Sequence, residues 1–149
     1  MTVLASIRPD AWNFPLLLHI LGAAVFFGVV ASAVVLTLSA DKTQEPAAMR
    51  RLAYRSMLFV GLPAYVVFRV GAEWIYSKEF PNVKTDPSWI GIGYGVSDLG
   101  LLLFIAALVL ARMGSKGDKP GRSRAAGYVM SVLLVGLVVA VWAMGAKPS

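Results

Sequence analysis

Residues 11–40 read AWNFPLLLHILGAAVFFGVVASAVVLTLSA, a run without a single Asp, Glu, Lys or Arg. A helix needs about 20 apolar residues to cross a bilayer core of roughly 30 Å. This run exceeds that length, and it exceeds the about 7–15 residues of a signal-peptide core. Its N-terminal flank is a poor signal start as well, because Asp10 offsets Arg8. The stretch reads as a retained span over about 12–38.

Working outward, the fourth run, Ala125 to Ala146, is equally free of charge and reads as a span over about 125–145. The two middle runs are interrupted. Ser56 to Phe68 and Leu99 to Ala111 are uncharged but too short to cross alone. The second helix, about 50–76, must therefore carry Arg69, and the third, about 88–112, must carry Asp98. Hydrophobic residues make up 58% of the 149, above the about 45–50% usual for soluble domains. The alternating segments and aromatic girdles of a β-barrel are absent. The expected fold is an all-α membrane protein, a single domain of four transmembrane helices in one bundle.

Charge in the loops sets an expected orientation. The first loop, with the start of the second helix, carries Lys42, Arg50, Arg51 and Arg55, and the third loop carries Arg112, Lys116, Lys119, Arg122 and Arg124. The opposite side carries only Arg8, Lys78, Lys84 and Lys147. Both termini are expected outside, in a bacterial inner or plasma membrane. The segment Met113 to Ser123, rich in Gly, Ser and Lys, reads as a flexible connection. Trp12, Trp74, Tyr76 and Trp89 fall at the outer level, as interfacial aromatics do.

Composition excludes several functions. The chain has no cysteine and one histidine, so thiolate chemistry and a multi-imidazole metal site are ruled out within one chain. The net charge of +6 is scattered through loops and forms no basic face, which argues against nucleic acid as a partner. No serine, histidine and carboxylate assemble into a nucleophilic set, so no catalytic residue is expected.

Ionisable groups inside spans are costly and functional by default. Fourteen residues separate Arg55 from Arg69 and Asp98 from Arg112. At about 1.5 Å per residue both intramembrane charges rise about 21 Å above the basic side. An Arg69–Asp98 pair follows, either as a structural clamp or as part of a site. Glu73 stands one turn above Arg69, Tyr65 one turn below, and Tyr94 one turn outward from Asp98. These five make the expected intramembrane polar cluster, and His19 on the first helix reaches a similar level.

His19 is followed one turn on by Gly22 and Ala23, then by Phe26 and Phe27. Small residues beside an imidazole either admit a neighbouring helix or make space for a flat ligand such as haem, with His19 as axial ligand. Gly91 and Gly95, and Gly127 and Ser131, are small pairs that read as packing surfaces. Gly61 and Pro63 predict a kink in the second helix.

The order Leu17-Leu18-His19-Ile20-Leu21-Gly22 followed by Phe27-Gly28 resembles the first helix of small bacterial four-helix membrane proteins, among them an integral membrane family of unknown function. More distantly it is similar to the copper-resistance-D-like and HemJ-like proteins. The HemJ-like resemblance implies haem b as a cofactor, ligated through His19. A bis-histidine haem would take its second ligand from another protomer.

Three functional readings follow. The first is a non-enzymatic accessory subunit whose partners are the lipid bilayer and other membrane subunits or a homo-oligomer. The second is a redox protein binding haem b or a quinone at His19, Gly22 and Phe26. The third is a small proton- or anion-coupled transporter using Arg69, Asp98 and Glu73.

Overall fold

The structure, a computed structural model, describes residues 10–80, 88–116 and 119–146. Arg8, Lys84 and Lys147, and with them both termini, lie outside the described residues. Helix α1 covers Asn13–Ser39 and ends in a 3-10 turn, Ala40–Lys42. Helix α2, Pro46–Ser56, runs through a π turn, Met57–Gly61, into α3, Leu62–Glu79. Helices α4, Ser88–Lys116, and α5, Pro120–Ala146, complete the chain. Four helices are long and apolar enough to cross a membrane, and α2, the π turn and α3 together make one of them.

Prolines sit where helices tolerate them. Pro46 and Pro120 open α2 and α5, where the first N–H has no intrahelical partner. Pro63, in contrast, lies two residues beyond the π turn. Its missing N–H and ring disturb the helical ladder one turn earlier, and the widened turn is how the helix absorbs the defect. The expected kink at Gly61 and Pro63 takes this form. Of the expected flexible connection over 113–123, residues 113–116 and 120–123 are helical instead, and 117–118 lie outside the described residues. Gly114 lets the end of α4 approach Ser123 at the start of α5: a Cβ there would lie 2.9 Å from the Ser123 nitrogen.

Helix α1 packs along α3, α4 along α5, and α1 also against α5, while α2 bridges α1 and α4. Helices α3 and α4 meet only sparsely, which leaves a seam between them. The core is centred on Phe26, Val30, Met57, Phe104, Met130 and Leu133, with Ala33, Ala107 and Ala126 between them. Other large apolar side chains face outward, among them Phe59, Leu102, Val135 and Val141. Alanines between the large core side chains let helices approach closely, and an apolar exterior around them suits helices packed in lipid.

Two glycines set the α1–α3 crossing. A Cβ on Gly22 would lie 2.5 Å from the Phe68 nitrogen, and one on Gly71 would collide with the His19 backbone. Backbone thus meets backbone at two points three residues, or about one turn, apart on each helix, which fixes both the register and the rotation of α1 against α3. At the basic end Asp41 joins the helices: it pairs with Arg50 of α2 and accepts from Arg124 Nε of α5 at 2.8 Å.

Candidate functional site

The α3–α4 seam is bridged by charge. One terminal nitrogen of Arg69 lies 3.1 Å from Glu73 Oε1 and 3.1 Å from Asp98 Oδ1. Tyr94 donates its hydroxyl to Glu73 Oε2 at 3.2 Å. The Arg69 guanidinium also stands over the Tyr94 ring, 4.6 Å from its centroid, where the ring quadrupole favours a cation. Arg69, Glu73, Tyr94 and Asp98 therefore form one connected group.

Its exposure is uneven. The Arg69 side chain is 26% exposed, but those of Glu73 and Asp98 are 51% and 63% exposed. One guanidinium faces two carboxylates, so the ionised group carries a net charge of −1. Around it the surface is apolar: Val66, Val70, Leu99 and Leu102 are all exposed. Gly91 and Gly95 continue the Asp98 face of α4 and have nothing within 4 Å of an added Cβ. This small pair packs against nothing among the described residues.

Tyr65 stands apart from the cluster in which the sequence had placed it. Four residues turn a helix by about 400°, which displaces Tyr65 about 40° from Arg69. That rotation carries it into the core, where it is 6% exposed. Its hydroxyl donates to the Ser97 carbonyl at 3.3 Å, and its ring meets Phe26 edge-on at 5.4 Å.

His19 does not reach the cluster either. Its Nδ1 is 3.3 Å from the Phe68 carbonyl. A carbonyl can only accept, so Nδ1 carries the proton; the apolar surroundings favour the neutral ring, in which Nε2 holds a lone pair. Nε2 has no hydrogen-bond partner among the described residues. His19 lines a cavity of about 670 Å³ together with Ala23, Phe26, Phe27, Phe68 and Ser97, and Val138 and Val141 of α5 complete the lining. Phe68 and Ser97 precede Arg69 and Asp98 in sequence. Consecutive helical residues point about 100° apart, so the cavity and the charged group occupy different sides of the same seam.

The sequence reading did not single out Phe68 or Ser97. Each was legible only as the neighbour of a charge. Of the expected cofactor-site residues, His19 and Phe26 line the cavity, whereas Gly22 is buried against α3.

The cavity meets one requirement of haem and fails another. Nε2 is a suitable ligand, and an Nδ1–H held by a carbonyl is the usual outer-shell support for one. The walls do not suit the rest of the group, because haem b carries two propionates and no Lys or Arg is among the residues lining the cavity. Burying a carboxylate without a cation is costly, so this lining fits an uncharged ligand and not haem. Among the described residues no group of His, Asp and Glu could hold a metal ion. Comparison with protein-family models, curated proteins and solved structures finds no match to this chain.

Proposed function

We propose that the chain is a four-span subunit of a membrane complex, without catalysis of its own, that receives a transmembrane helix of another protein along α4. In this reading the helices lie in the cytoplasmic membrane, with the basic end inside and both termini outside, as the loop charges direct.

The observation that carries the reading is the exposed carboxylate of Asp98 in an apolar belt. At about 1.5 Å per residue Asp98 lies about 21 Å above Arg112, well within a hydrocarbon core of roughly 30 Å. A group with net charge −1 turned outward at that depth is costly in lipid. A Lys or Arg on a neighbouring helix would neutralise it. A second copy would bring the same negative face against itself about a twofold axis, so the charge favours a different protein. Gly91 and Gly95, open on the same face, let such a helix approach closely.

The test is native purification in mild detergent from cells expressing the full chain, beside Asp98→Asn and Gly95→Ile. The expected result is a second membrane protein at fixed stoichiometry, bearing a basic residue in a span and lost in both variants. A single species with the mass of one chain, in wild type and variants alike, would remove the reading.

A further inference from the structure

The cavity beside His19 faces away from Asp98, and its chemistry stands whether or not a partner helix docks on α4. We propose that it is a binding site for a neutral, bilayer-dissolved hydroquinone or phenol with an apolar tail, whose O–H donates to His19 Nε2.

Four observations converge on this class. The first is polarity. Nearly the whole lining is apolar, and no charged side chain contributes to it, so the occupant is uncharged. The second is the anchor. With Nδ1–H committed to the Phe68 carbonyl, Nε2 can only accept. The ligand must therefore bring a donor, which a hydroquinone or phenol has and an ester or a quinone lacks. Ser97, also in the wall, offers a hydroxyl whose oxygen lies 3.4 Å from that of Tyr65. A second ligand oxygen could bond there.

The third observation is shape. The Phe26 and Phe68 rings are nearly parallel, 14° apart at 6.4 Å, and the His19 ring lies 5.3 Å from Phe68. Flat aromatic walls favour a flat ring. The fourth is access. The lining includes exposed residues on two helices, Ile20 and Ala24 of α1 and Val138 and Val141 of α5. Leu17, Leu21, Val135 and Trp142 continue these helices outward as exposed apolar surface. A ligand dissolved in lipid enters sideways there and leaves its tail in the acyl chains. Placed convergent polar groups in a mainly apolar cavity are what fixes a small ligand's orientation.

The experiment measures equilibrium binding of decylubiquinol to the full chain in lipid nanodiscs under argon. Decylubiquinone and decanol serve as comparison probes, and His19→Phe and Ala24→Trp as variants. Ala24 is exposed on the cavity wall, so Trp there fills the space while leaving the α1–α3 contact intact. Decylubiquinol is expected to saturate at one per chain. Decylubiquinone and decanol should each bind at least tenfold more weakly. His19→Phe should weaken the quinol at least tenfold, and Ala24→Trp should abolish its saturable binding.

Equal affinity for quinol and quinone, or full affinity in His19→Phe, would overturn the proposal by removing the donated O–H. Saturable binding that survives in Ala24→Trp would overturn the location. A Soret band in the purified wild type that vanishes in His19→Phe would overturn it in favour of iron on Nε2.

Discussion

Arg69 on α3 and Asp98 on α4 form a 3.1 Å ion pair across a seam where their helices otherwise meet sparsely. Glu73 shares the same guanidinium nitrogen, also at 3.1 Å. Removal of Arg69 leaves two carboxylates facing each other, whereas removal of Asp98 leaves a neutral Arg69–Glu73 pair one turn apart on a single helix. Arg69→Gln is therefore expected to lower the detergent melting temperature more than Asp98→Asn. Contacting charges couple by about 0.5–3 kcal/mol, so the double variant should lose less than the sum of the singles. Strict additivity would show that the pair does not tie the helices together.

The glycines of the spans divide into two kinds, which gives a second prediction. Gly22 and Gly71 meet the opposite backbone, whereas Gly95 has open space in front of it. Overpacking a tight contact costs about 1–3 kcal/mol, and backbone cannot swing away as a side chain can. Gly22→Ala and Gly71→Ala should each destabilise the protein by at least that much. Gly95→Ala should be neutral or stabilise it, since Ala gains up to about 1 kcal/mol over Gly in a helix. Thermal melts of the three variants in one detergent decide it, and equal losses at all three positions would contradict the α1–α3 crossing.

The difference between legible and illegible features here is the difference between depth and rotation. The levels of Arg69 and Asp98 follow from counting residues from a basic end, because helical rise is uniform. Rotation depends on which helix packs where, and no count of residues supplies it. Tyr65 and His19 share the level of the charged group or lie a turn from it, yet both turn elsewhere, to Ser97 and to Phe68. Gly71 gives no signal in the sequence, since its role exists only in contact with His19. Asp41 did have a signal: it is an isolated acid ahead of a basic stretch, and it turned out to bind Arg50 and Arg124 together.

Tyr65 offers a prediction that separates packing from hydrogen bonding. Its hydroxyl is buried against the Ser97 carbonyl, and its ring packs on both Phe26 and Phe68. Tyr65→Phe keeps the ring and gives up one neutral hydrogen bond, a loss of about 0.5–1.5 kcal/mol. Tyr65→Ala also opens a hole in the aromatic core, and such truncations cost about 3–5 kcal/mol. The ratio of the two losses in chemical denaturation measures how much of the α3–α4 seam rests on the ring. A Tyr65→Phe loss as large as that of Tyr65→Ala would place the weight on the hydroxyl instead.

The basic end gives a last asymmetry. Asp41 serves two arginines in different surroundings: Arg50 has a side chain 8% exposed and Arg124 one that is 55% exposed. An exposed pair is worth about 0–1 kcal/mol, so Arg124→Gln should barely move the melting temperature. Asp41→Asn takes the carboxylate from a guanidinium only 8% exposed, and breaking a pair with a buried member costs more than breaking an exposed one. Salt should distinguish the two as well, because screening acts on exposed charges far more than on buried ones. Raising ionic strength is expected to erase the small Arg124→Gln effect and to leave most of the Asp41→Asn loss in place. Comparable losses for the two variants, or an Asp41→Asn loss that disappears in high salt, would mean that Asp41 is a solvated surface acid and not the tie between α2 and α5.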